Sequence, residues 1–168
     1  GCLKAPASIA VLPETVEILD GNIYYGVPSI ECVIVPSKVR VLNETYWAVP
    51  NLRKAIILTD KLDRIGDLAF YGCAKLEEVN IPDGVTQIGE GAFCWNLKLH
   101  KINIPSSVTR IEGNAFDSVP LDSIDIPASV TFIGRNAFWN NRNLKKVYSR
   151  PITPPKTNEP TAISPYLP

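Results

Sequence analysis

The sequence is poor in the residues that build reactive sites. It has one histidine, His100, and four cysteines (Cys2, Cys32, Cys73, Cys94) with no CxxC spacing, so no ligand set for zinc can be assembled. It has no phosphate-binding glycine loop and no nucleophile elbow, and His100 is not placed with a nucleophile and an orienting acid. The expectation is a non-enzyme, with no catalytic, metal-ligating or cofactor-binding residues. No run of about 18 apolar residues occurs, so no helical membrane span is expected. An excess of one charge is also missing. Seventeen Lys and Arg balance seventeen Asp and Glu, and a neutral global field gives no reason to expect nucleic acid or an anionic membrane as partner.

What the chain does have is a period. Residues 81–103 read IPDGVTQIGEGAFCWNLKLHKIN and return from Ile104 as IPSSVTRIEGNAFDSVPLDSID. Aligned on Phe93, the aromatic recurs as Tyr24, Trp47, Phe70, Phe116 and Phe138, with intervals of 23, 23, 23, 23 and 22 residues. A period of this length over six units is the signature of a solenoid, in which no unit can bury its apolar face alone. The 168 residues and 45% hydrophobic content suit one folded unit.

The register runs through every unit. Leu12, Val35, Leu58, Ile81, Ile104 and Ile126 precede Pro13, Pro36, Thr59, Pro82, Pro105 and Pro127. Proline donates no N–H to a ladder, so these positions mark strand ends. Val16, Val39, Leu62, Val85, Val108 and Val130 follow, and then Leu19, Leu42, Ile65, Ile88, Ile111 and Ile133, on a second extended side. Asp20, Asn43, Gly66, Gly89, Glu112 and Gly134 come next, where a tight or left-handed turn is expected. The following pairs, such as Ala69-Phe70 and Ala92-Phe93, are placed on one helical or 3₁₀ turn with the ring inward. Each unit closes with the spacing of Leu76-x-x-Val79-x-Ile81, which is strand alternation. Leu52 falls one position early in its unit and Arg53 takes its slot, which predicts local distortion. Cys73 reads as a small buried hydrophobe, with a bridge to Cys94 as the alternative.

The pattern IP-xx-VT-x-IG-xx-AF-xxC-xx-L-xx-V-x-I, fullest between Leu62 and Phe93, resembles the BspA-like leucine-rich repeats of bacterial and some protist surface proteins. The resemblance covers about 12–149. Units one and two depart from it, with Tyr24, Trp47 and Pro50 in place of the family's Phe and Cys. It implies a right-handed leucine-rich repeat solenoid of parallel β-strands, export from the cell, and a role in adhesion or partner recognition. The family shares no catalytic residues, so none is carried over.

Domain organisation follows: 1–11 as an N-terminal cap or edge strand, six repeats at 12–34, 35–57, 58–80, 81–103, 104–125 and 126–149, and a proline-rich tail at 150–168. The tail favours extended polyproline geometry and is not expected to continue a sheet; 163–167 is expected to lie across the last coil. Cys2 is read either as a lipidated N-terminal cysteine of a surface lipoprotein or as an ordinary cysteine.

Stacked strands place equivalent outward side chains roughly 4.8 Å apart. One ladder is then Cys32, Ala55, Glu78, Lys101, Ser123 and Lys146, and its neighbour is Ile34, Ile57, Asn80, Asn103, Asp125 and Tyr148. Both begin apolar and become polar. The Ile34–Ile57 end is a candidate for self-association or for a partner protein, unless residues 1–11 cover it. Glu78, Asn80, Lys101, Asn103, Asp125, Lys146 and Tyr148 form a mixed surface for a protein or glycan ligand. Trp95 and Trp139 are candidate platforms for sugar stacking. Glu77-Glu78 and Asp122/Asp125 could serve a glycosidase, but a filled solenoid offers no cleft that would raise a carboxyl pKa. The reading is a noncatalytic, extracytoplasmic recognition or adhesion module. The alternative is a structural spacer that carries another domain away from the cell surface.

Overall fold

The computed structural model describes the backbone of residues 8–149 and 156–157, and the side chains of 8–148. The chain winds as a parallel β-solenoid of six coils, each marked by one ring of a central aromatic column. Two ladders run along it. The first contains β1 (Ile9–Val11), β3 (Cys32–Val35), β5 (Lys54–Ile57) and β7 (Glu78–Val79), and it resumes as the pair β10 (Ser123–Ile126) and β12 (Lys146–Ser149). The second contains β2 (Ile18–Asp20) and β4 (Val41–Asn43), followed by β6 (Arg64–Ile65), β8 (Gln87–Ile88), β9 (Arg110–Ile111), β11 (Phe132–Ile133) and β13 (Lys156–Thr157). Every pairing is parallel. Parallel strands require a crossover between them, and here the rest of each coil supplies it.

The column consists of Tyr24, Tyr46, Phe70, Phe93, Phe116 and Phe138, with neighbouring centroids 5.3–5.6 Å apart and ring planes within 15° of parallel. From Tyr46 onward these rings are fully buried. Each repeat adds a Leu or Ile from the second ladder, and the first ladder adds buried pairs such as Val33 with Val35 or Ile124 with Ile126. The inward-facing ring expected at Phe70, Phe93, Phe116 and Phe138 is therefore what the structure has.

Coil two departs from the expected register. Tyr46, not Trp47, joins the column, because four positions separate Leu42 from Tyr46 where five separate Ile88 from Phe93. Val49, Leu52, Ala55 and Ile57 then all point inward, and Arg53 faces solvent. The missing residue is regained at Leu58, which is expelled to the surface and is not the buried residue before the proline slot. Keeping Trp47 in the column would have driven Arg53 into the core, where an unpaired charge is far more costly than a shortened turn.

The corners contain no helix among the described residues. In coils two to six the residues two before and two after the column ring have positive φ: Leu68 (52°) and Gly72 (69°) flank Phe70, and Gly91 (59°) and Trp95 (62°) flank Phe93. These left-handed residues break any run of helical hydrogen bonds, and the corner amides donate to the next coil instead. Examples are Phe93 N–H to the Ala115 carbonyl at 2.8 Å and Trp95 N–H to the Asp117 carbonyl at 2.9 Å. Gly66 and Gly134 are glycines for a different reason from the left-handed turn expected there. A Cβ on Gly66 would lie 2.3 Å from the Leu42 carbonyl oxygen, and one on Gly134 would lie 2.4 Å from the Gly113 nitrogen.

The tail also differs from expectation at one point, since β13 pairs with β11. Lys156 and Thr157 have N–H groups to donate, which the flanking prolines of that segment lack. The expectations for Cys2 and for 163–167 fall outside the described residues.

Candidate functional site

The first ladder carries the residues expected to form a recognition surface, with one change of register. Ile34 pairs with Ile56, and Val35 with Ile57; Cys32 pairs with Lys54, and Val33 with Ala55. Ile57 and Ala55 are therefore core residues, and Ile56 and Lys54 take the outward places assigned to them. The corrected apolar rungs are Val11, Ile34 and Ile56. β1 extends the sheet edge beside them, leaving Val11 69% exposed. Asp125 opposite Tyr148 and Ser123 opposite Lys146 stand in the expected register on β10 and β12.

Between the two parts of this ladder the sheet is broken. Lys101–Asn103 of coil four is not in a strand, and β7 is only two residues long. Asn80 is part of the cause. Its side chain occupies the backbone pairing positions of Ile57, accepting from the Ile57 N–H at 2.8 Å and donating to the Ile57 carbonyl at 2.9 Å. Val79 is only partly buried, unlike Val33 and Ala55 at the same rung. A depression of about 590 Å³ opens there, floored by Ala55, Val79 and Ile102 and rimmed by Lys54, Ile56, Glu78, Asn80, Lys101 and Asn103. Four of the residues expected from sequence (Glu78, Asn80, Lys101, Asn103) thus meet in one place. Ile34, Asp125, Lys146 and Tyr148 lie outside it. Lys54 and Ile56 were hidden by the slip in coil two, which the displaced Leu52 had signalled.

The charges around the depression are not equivalent. Lys54 is paired with Glu78, and that hydrogen bond holds the Glu78 carboxyl below its ordinary range. Arg53 is paired with Glu77 at 3.1 Å. Lys101 has no ion-pair partner among the described residues, and His100 approaches Asp122 at 3.8 Å. The site can therefore offer one uncompensated cation, two carboxamides and an apolar floor.

The second ladder is interrupted between β4 and β6, where a depression of about 290 Å³ lies among Arg40, Asn43, Asp63, Arg64 and Asp67, and its later coils are closed in on themselves. Gln87 donates to Glu112 at 2.8 Å, Arg110 donates to the same carboxylate at 2.9 Å, and the Arg110 guanidinium lies 4.0 Å from the centre of the Phe132 ring. Arg64 pairs with Asp67.

Among the described residues the cysteines contribute no reactive group. Cys73 and Cys94 are free and buried, so they do not bridge, and burial pushes both thiols up to about 12. Cys73 donates to the Tyr46 carbonyl, and Asn96 and Asn141 fill the equivalent slot, donating to the Phe70 and Phe116 carbonyls at 3.0 and 2.7 Å. Cys32 is disulfide-bonded.

Comparison with known proteins agrees with this architecture. The BspA-type leucine-rich repeat region matches residues 17–145 in six copies. A leucine-rich repeat protein of T. pallidum is 27% identical over 86% of this chain and 70% of its own, with a TM-score of 0.79. A leucine-rich cell surface protein of Faecalibacterium prausnitzii is 26% identical, with a TM-score of 0.63 over 83% of this chain and 44% of its own. A leucine-rich repeat protein of Bacteroides ovatus is 26% identical, with a TM-score of 0.60 over 84% of this chain and 33% of its own. The chain thus spans less than half the length of the latter two. No curated protein matches it.

Proposed function

The chain belongs to the BspA-type leucine-rich repeat family, and from that premise we propose that it is a noncatalytic recognition or adhesion module acting outside the cytoplasm. The partner is a protein or glycan that docks on the first ladder over the depression beside Lys101. One observation carries this reading: the only break in that ladder among the described residues coincides with a cation that no neighbouring carboxylate neutralises. Extracytoplasmic placement is supported by the disulfide at Cys32, since such bonds persist in oxidising compartments. The relative from Faecalibacterium prausnitzii, described as a cell surface protein, supports it further. Among the described residues no helix is long and apolar enough to cross a membrane.

The second ladder favours another reading for its own face. Gln87, Arg110, Glu112 and Phe132 are matched among themselves in its later coils, as expected of a spacer that keeps a solvated surface. The experiment that separates the readings is affinity retention from the native extracellular mixture, with the protein immobilised. A partner retained by the unmodified chain and lost by Lys101→Glu with Asn103→Ala, at unchanged Tm, supports recognition at the depression. Equal retention by the double variant removes the site, and no retention at all leaves the spacer.

A further inference from the structure

Coil four has the sequence of a strand on the first ladder but none of its pairing. Among the described residues, Lys101, Ile102 and Asn103 make no main-chain hydrogen bond to coil three or to coil five. Pairing stops at the His100 carbonyl, which accepts from the Asp122 N–H at 3.1 Å. Burial still alternates as it does in a strand, with Lys101 and Asn103 exposed and Ile102 and Ile104 buried. By contrast, β3 with β5 and β10 with β12 pair over four rungs each. A short extended run of unpaired N–H and C=O groups therefore lines the depression, and such groups need partners.

The charge at this place is equally specific. Glu78, one rung from Lys101, is engaged by Lys54, and Glu77 is engaged by Arg53. Lys101 is left as the cation without a carboxylate, above a floor of Ala55, Val79 and Ile102. Main-chain donors and acceptors, an apolar floor and a free positive charge thus coincide in one depression.

We propose that the occupant is an extended peptide segment of a partner protein, one that alternates apolar with acidic side chains and adds its main chain to coil four. This rests on the reading of the depression as the docking site and narrows the partner from protein or glycan to peptide. An extended main chain repeats its donors and acceptors at the same rise of about 3.3 Å per residue as the unpaired run. A sugar chain has hydroxyls but no such alternation. Because successive side chains of a strand point to opposite faces, apolar residues would rest on the floor while acidic ones stand outward beside Lys101.

The test uses the unmodified chain and the capped hexapeptide SVEVES carrying fluorescein, read by fluorescence anisotropy. Binding is expected, with slowed amide hydrogen exchange at 101–103. Methylating the two valine nitrogens is expected to weaken it about tenfold, as loss of main-chain bonds would. Lys101→Ala is expected to weaken it about fivefold, the scale of an exposed ion pair, at unchanged Tm. No binding of SVEVES, equal binding of the methylated peptide or of SVKVKS, or unchanged exchange at 101–103 overturns the proposal. So does trigalacturonate that binds in place of the peptide, since it assigns the site to an acidic sugar. If the peptide fails while Lys101→Glu with Asn103→Ala still loses a retained partner, the docking site stands and only its occupant changes. If that double variant keeps the partner, the site itself fails.

Discussion

Coil two and coil four illustrate two ways of filling one shape. In coil four the inward set is Phe93, Asn96, Leu99, Ile102 and Ile104, and in coil two it is Tyr46, Val49, Leu52, Ala55 and Ile57. The internal spacing of the two sets is the same. Their distance from the second ladder is not, because coil two gives up one residue before Tyr46 and regains it at Leu58. The choice between Tyr46 and Trp47 is thus made by five inward positions together, not by the ring that best continues a 23-residue count. The shift keeps the Arg53 charge out of the core, and it adds no strain of its own, because left-handed residues such as Glu44 and Ala48 (φ 51° at both) flank the column ring in coils two to six alike.

The strongest test of that comparison is at the end of the shifted segment. Ile57→Asp places a charge in the core and is expected to prevent folding, read by far-UV circular dichroism. Ile56→Asp, on the outward rung, should change stability by no more than about 0.5 kcal/mol. The reverse result would restore the unshifted register. Next in size is the column itself. Tyr46→Ala should cost about 3–5 kcal/mol in urea unfolding, and Trp47→Ala about 1; a larger loss at Trp47 would mean that it, and not Tyr46, occupies the column.

A smaller effect is expected at Thr59, which stands where the other units of the repeat have proline. It is buried, donates to the Val39 carbonyl at 2.6 Å and accepts from the Lys61 N–H at 3.0 Å. Thr59→Val should cost about 1–3 kcal/mol by orphaning both groups, whereas a negligible loss would show that the extra residue in coil two needs no hydrogen-bonded anchor.

The smallest effect concerns Asp117, which occupies the corner position of Trp47 and Cys94. Burial raises its carboxyl above the ordinary range, opposed by the hydrogen bond from Ser118. A raised folded value means that the ionised group opposes folding. This penalty is absent below the unfolded value and grows as pH rises through the folded one. Asp117→Asn should therefore be more stable than the unmodified protein at pH 7, with the difference closing below about pH 4. Urea unfolding at the two pH values measures it, and a pH-independent difference would place its origin elsewhere.

Much of the candidate surface was legible in the residues. Alternation around Val79 and Ile81 placed Glu78 and Asn80 outward, and the period carried the same assignment to Lys101 and Asn103. Ile57 and Ala55 were misplaced because a one-residue slip inverts every side chain of a strand. Only Leu52 and Arg53 hinted at it. The depression was not legible, since it depends on the Asn80 carboxamide replacing a strand pairing, a contact between residues 23 positions apart.

The sequence alone determined that this protein is a solenoid, how many coils it has, and which apolar slots recur, because a period records the distance at which one coil must meet the next. Tertiary structure decided which of two adjacent aromatics enters the column, where the first sheet opens, and that the corners are left-handed turns and not helical ones. Those outcomes depend on the summed burial of a whole coil and on hydrogen bonds to its neighbours, and a local pattern contains neither quantity.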